Sequence, residues 1–243
     1  MTEPTELRAQ IEALEGGAFL DTSALRVLAV RGPDARRWLG DLVTADVATL
    51  EPGSARRSLL LTPTGRIRAD FTMLATVDGF LLVQADDQPE RVGDILAPYV
   101  LSSAVELEDA TTQLAIDATA DDALDVARIR RGDPRMGVDF DAGALPAEAG
   151  LGSAIDEKKG CFLGQEAVAK VRNLGHPPTV LRHLRSAVEV SRGASVHTPG
   201  GVVGTVTSAA PAADGGWILL ARVGWEAAEA ALETPGGTPL TPA

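Results

Sequence analysis

Between residues 25 and 116 strand-like and helix-like runs follow one another in a single order. That order narrows the possible folds more than any other feature of the chain. Residues 25–31 read as a strand, and Gly32-Pro33-Asp34 then opens a helix with proline near its first turn. This helix turns Trp38, Leu39 and Leu42 toward a core. Residues 57–62 form a second strand, Pro63-Thr64-Gly65 a turn, and residues 67–77 a third strand. Asp78-Gly79 is a hairpin turn leading to a fourth strand over 80–84. A helix follows over 89–101 with a break at Pro98, then short strands at 105–107 and 113–116. Residues 4–15 carry Leu7, Ile11 and Leu14 at helical spacing. A β-α-β-β-α-β order is the ferredoxin-like split arrangement and makes the chain an α+β protein.

The rest of the chain divides in two. Residues 121–178 begin with a helix over 121–130, pass through a loop rich in Ala, Gly and Pro, and hold a short helix over 165–171. Residues 179–243 show strand signals at 181–185, 194–197, 202–208 and 217–223, separated by Gly and Pro, as in a small β-barrel or sandwich. The alanine-rich stretch 227–232 favours a helix by propensity, and the Pro- and Gly-rich tail 234–243 is expected to fray. The domains expected are therefore 1–120, 121–178 and 179–243.

Chemistry concentrates in Lys159-Gly160-Cys161-Phe162-Leu163-Gly164-Gln165-Glu166, which holds the single cysteine. Gly160 and Gly164 allow unusual backbone angles and close approach of another molecule. Lys159 supplies a positive charge that favours thiolate at Cys161, and Glu166 supplies an acceptor. The alternative is a tight turn feeding a helix, with the cysteine as a small buried hydrophobe. Basic residues flank the motif on both sides, Arg128, Arg130, Arg131 and Arg135 before it and Lys158, Lys170 and Arg172 around it. They read either as a solvated face or as an anion pocket in an otherwise acidic protein.

A net charge of −12 argues against nucleic acid and anionic membranes as partners. No apolar run reaches the ~18 residues a membrane span needs, and no secretory leader is evident. One cysteine forms no internal disulfide, so a reducing, cytoplasmic location is expected. His176, His183 and His197 match no metal-ligand spacing, so no metal site is expected.

The motif from Lys159 to Glu166 resembles the signature of the YgfZ-type folate-binding proteins, relatives of the glycine-cleavage T-protein. Four more segments fall in the same order. They are Gly32-Pro33-Asp34-Ala35 with Trp38-Leu39 and Thr44-Ala45-Asp46-Val47; Leu61 to Ile67 ending in Asp70-Phe71; Arg128-Ile129 with Gly132, Pro134, Arg135 and Gly137; and Val202 to Ser208. The resemblance spans nearly the whole chain.

It implies a T-protein-like fold: a ferredoxin-like folate-type domain, a second unit and a C-terminal β-barrel. It implies an accessory role in iron-sulfur cluster assembly or repair, with tetrahydrofolate or a related folate as ligand and iron-sulfur enzymes or cluster carriers as partners. Cys161 and Lys159 would be the functional pair, and Asp70, Arg128, Gly160, Gln165 and Glu166 would line the folate site. Read locally, Asp70 instead caps the strand ladder or pairs with Arg66 or Arg68, and Arg128 makes a surface ion pair. Only about a dozen residues, 117–127, stand where the family has a long stretch. The second unit should therefore be truncated and folate held less tightly. Two other functions fit the same fold: a folate-dependent aminomethyltransferase-like enzyme, and a ligand-free scaffold.

Overall fold

Nearly continuous buried runs set the central strands of the first sheet. In a computed structural model, described over residues 25–101, 103–111 and 121–243, β1 is Leu25–Arg31, β2 Ala55–Leu61, β3 Ile67–Thr76, β4 Gly79–Ala85 and β5 Glu106–Asp109. The sheet order is β2-β3-β4-β1-β5, and every neighbouring pair is antiparallel. The first strand lies between the last strand and the hairpin strands, as a split arrangement requires. The hairpin carries a third strand, β2, so the sheet has five. The expected helix over 4–15 and strand over 113–116 lie outside the described residues.

One face of the sheet buries Val30, Leu60, Phe71, Met73 and Leu82 against helix α1 (Ala35–Gly40) and helix α2 (Val92–Leu96). Trp38 is core, and its Nε1 donates to Tyr99 O at 2.8 Å. The helix expected over 89–101 is shorter. Arg91 is extended, and the α-helix gives way to a 3₁₀ turn at Ala97–Tyr99 that contains Pro98, which has no N–H to continue the α-helical ladder.

By their contacts the described residues up to Asp121 together with Ser153–Val168 form one compact unit. Asp122–Gly152 and Ala169–Ala243 form the other. The span 121–178 thus contributes to both.

In the second unit, helix α3 (Asp121–Arg131) buries Ile129 against Ala210 and Ile218. Helix α4 (Gln165–Leu174) precedes a closed six-stranded antiparallel barrel. Its strands are β6 (Thr179–Ser186), β7 (Ser195–Thr198), β8 (Gly201–Pro211), β9 (Trp217–Gly224), β10 (Leu232–Glu233) and β11 (Pro239–Pro242). The order is β10-β11-β6-β9-β8-β7.

Two expectations fail here. The stretch 227–232 is not an α-helix; a 3₁₀ turn at Trp225–Ala227 and a further turn over 228–230 lead to β10. The tail is not frayed either. Leu240 is 6% exposed and pairs with both Leu232 and Ser186, and Ala243 N donates to His183 O at 3.2 Å. Barrel closure, a long-range pairing, overrides the local Pro and Gly signals. No helix among the described residues is long and apolar enough to cross a membrane.

Candidate functional site

The cysteine loop is assembled on the first unit from three separated sequence segments. Thr44 is fully buried, and its hydroxyl donates to Ala154 O at 2.8 Å and accepts from Leu59 N at 2.9 Å. Its carbonyl accepts from Asp156 N at 2.9 Å, and Ser58 Oγ accepts from Ala45 N at 3.0 Å. The Thr44-Ala45-Asp46-Val47 segment thus holds the stretch that enters the loop. Asp46 caps its own turn, accepting from Ala48 N and Thr49 Oγ1, and the Thr49 bond holds its carboxyl below the ordinary range.

Beyond Asp156, whose Oδ1 accepts from Lys158 N and Lys159 N, the chain reaches Lys159. The Lys159 ammonium does not turn to the thiol. It donates to Gly40 O at 2.7 Å, Val43 O at 2.5 Å and Ala45 O at 3.0 Å, and lies 5.3 Å from the Phe162 ring centroid. Burial pushes it down to about 8, while the Asp46, Asp156 and Asp41 charges pull the other way. Gly160 and Cys161 are exposed, and Phe162 beside them is buried. Cys161 is therefore not the small buried hydrophobe of the alternative reading.

Gly164 closes the loop at φ +84°, where a Cβ would stand 2.5 Å from Thr62 O in the β2–β3 turn. Gly160 differs: it has no left-handed φ, and a Cβ there would meet nothing within 4 Å. Of the two residues that follow Gly164, Gln165 starts α4 and Glu166 is exposed in its first turn. A groove of about 470 Å³ adjoins the loop, lined by Ala45, Arg56 and residues 153–158.

Asp70 sits on β3, 7% exposed. Its partner is neither Arg66 nor Arg68. Arg57 of β2 grips it with two bonds, Nε to Oδ1 at 2.8 Å and Nη2 to Oδ2 at 2.5 Å, while Arg68 pairs with Glu90. Gln88 brackets the Asp70 backbone, accepting from its N at 3.0 Å and donating to its O at 2.6 Å. Sequence neighbours suggested the wrong arginine because the pairing is set by strand register, where Leu59 faces Asp70 and Arg57 reaches it diagonally.

Arg128 belongs to the second unit and is not a surface ion pair. It is 9% exposed and donates to Asp125 Oδ1 at 2.6 Å, Asp139 Oδ2 at 2.7 Å and Ser208 Oγ at 3.0 Å. Asp139, 1% exposed, also accepts from Thr207 Oγ1, Ser208 Oγ and Arg135 N. This buried network ties α3 to β8. Arg130 donates to Pro211 O and Arg131 pairs with Asp133, so the basic run 128–131 is engaged with protein partners. Asp139 carries the network, yet nothing in the sequence marks it apart from other aspartates.

The histidines are engaged separately in the same unit. His183 Nε2 lies 3.1 Å from Ile129 O, and its ring approaches Gly132 so closely that a Cβ would be 2.8 Å from Nδ1. His197 bonds Ser195, and His176 stacks on Trp225 with centroids 5.0 Å apart.

Comparison with known proteins agrees with this fold. Residues 9–120 match the GCVT N-terminal domain. The chain is 30% identical over 210 residues to an aminomethyltransferase of Symbiobacterium thermophilum, covering 83% of this chain and 51% of that one. It is 30% identical over 227 residues to an aminomethyltransferase of Streptomyces avermitilis, covering 89% and 56%. An uncharacterized protein of Haemophilus influenzae is 24% identical over 195 residues, covering 65% and 69%. The crystal structure of glycine cleavage system aminomethyltransferase T from Bartonella henselae matches with a TM-score of 0.73 at 18% identity, covering 92% of this chain and 84% of that one. Residues 9–120 thus match the GCVT N-terminal domain, and the chain has a T-protein-like α+β fold with a C-terminal six-stranded antiparallel barrel. It spans about half the length of the two aminomethyltransferases it matches.

Proposed function

We propose that this protein belongs to the GCVT aminomethyltransferase family and is a YgfZ-type accessory protein for iron-sulfur cluster assembly or repair, acting in the cytoplasm through the Cys161 thiolate. The observation that carries the reading is the exposed cysteine at the apex of a loop anchored on both sides, by Thr44 and Lys159 before it and by Gly164 after it. A thiolate is a soft ligand suited to iron and sulfur. One cysteine supplies one of the four thiolates of an ordinary cluster, so the cluster is cargo and an iron-sulfur enzyme, a carrier protein or a small thiol supplies the rest.

A folate-dependent aminomethyl transfer is the second reading, favoured by the names of two relatives. Tetrahydrofolate is the ligand that family membership suggests. The residues carried over for it do not fit as grips: both carboxylate oxygens of Asp70 are bonded to Arg57, and the guanidinium of Arg128 is bonded to Asp125, Asp139 and Ser208. No step is therefore assigned to folate.

The test is complementation of a strain lacking the protein, read as activity of a cluster-dependent enzyme. Cys161→Ser should fail to complement. The melting temperature should barely move, since an exposed substitution costs within about 0.5 kcal/mol. Full rescue by the serine variant would remove the thiol from the function.

A further inference from the structure

The geometry points to Lys159 as the positioning residue of the cysteine loop: it fixes where Cys161 is presented rather than acting on the thiol. This rests on the thiol-based reading above and assigns a second residue to the same site. An ammonium has three protons to donate, and three carbonyls, of Gly40, Val43 and Ala45, converge on Lys159 Nζ. Gly40 ends α1, where carbonyls lack helical partners and favour a cation. With its donors on the backbone and Phe162 packed beside it, the charge is committed to the scaffold. Cys161 lies between Lys159 and Phe162, which both face the protein, and Gly160 and Cys161 are the pair left outside. Thr44, whose neighbours accept from Lys159, also holds Ala154 and Asp156 at the entry of the loop. One short segment, residues 40–45, therefore sets both the entry and the apex of the loop. Group or ligand transfer by a thiol depends on such placement, because small displacements lower rates steeply.

The test compares wild type, Lys159→Met and Lys159→Arg in the full chain by three measurements. The first is native cleavage by trypsin after the exposed Lys158, the second the pH profile of Cys161 alkylation by iodoacetamide, and the third complementation. Positioning predicts that Lys159→Met is cut after Lys158 about tenfold faster or more, as a released loop opens locally. It also predicts that the alkylation profile keeps its midpoint, that complementation falls, and that Lys159→Arg, which keeps charged donors, recovers part of the protection. An alkylation midpoint that moves to higher pH with cleavage unchanged would show that Lys159 acts on the thiol's charge, and would overturn the inference. So would full complementation by a Lys159→Met protein whose loop is released. If Lys159→Met does not fold, wild type decides: cleavage after Lys158 as fast as in denatured protein means the loop is not clamped. Rescue by Cys161→Ser would instead sink the thiol reading and leave the cleavage result standing.

Discussion

Gly160 and Gly164 flank the same cysteine, and the backbone uses them in opposite ways. Gly164 has φ +84° and faces Thr62 O, so a side chain there meets both torsional strain and a backbone atom. Gly160 has ordinary torsions and open space around it. Gly164→Ala should therefore lower stability by about 1–3 kcal/mol, while Gly160→Ala should stay within about 0.5 kcal/mol. Denaturant melts of the two variants measure this, and equal effects would mean that Gly164 is not the strained closure of the loop. The motif was legible as a glycine-flanked cysteine turn leading into a helix, because those cues are local. The roles of Lys159, Asp70 and Arg128 were not, because each is decided by a partner distant in sequence: carbonyls of residues 40–45 for Lys159, Arg57 for Asp70 and Asp139 for Arg128.

Elements were legible where periodicity and pairing agree. Strand β1 runs over residues 25–31 as its sequence predicts, and the Asp78-Gly79 turn joins β3 to β4 in register, Thr76 facing Gly79. The C-terminal tail shows the opposite case. Its prolines and glycines signal disorder, yet Leu240 enters the barrel core with Leu184, Leu219 and Leu232. Prolines 239 and 242 stand at the two ends of β11, where a missing N–H is least costly. Leu240→Ala should cost about 2–4 kcal/mol through lost burial and a residual cavity. A frayed tail would show no change in the thermal melt, so a neutral result would remove β11 from the barrel.

At the scale of the whole chain, fold and ligand chemistry separate. The T-protein-like fold is retained across 92% of the chain, and the family match covers residues 9–120. A folate site needs more than the fold: it needs walls that enclose most of the ligand and polar groups left free to grip it. Asp70 and Arg128, the two polar residues that family resemblance assigns to folate, are each held by protein partners in place of a ligand. Breaking those ion pairs to bind a ligand would leave buried charges to be re-paired, which lowers affinity further. Tetrahydrofolate should therefore bind more weakly than about 1 μM in calorimetry, corresponding to less than about 8 kcal/mol of binding free energy. Asp70→Asn should change that affinity little, because the carboxylate serves Arg57 first, while it lowers the melting temperature by removing a charged partner from a partly buried pair. Sub-micromolar binding abolished by Asp70→Asn, with turnover of an aminomethyl donor, would instead make the chain a transferase.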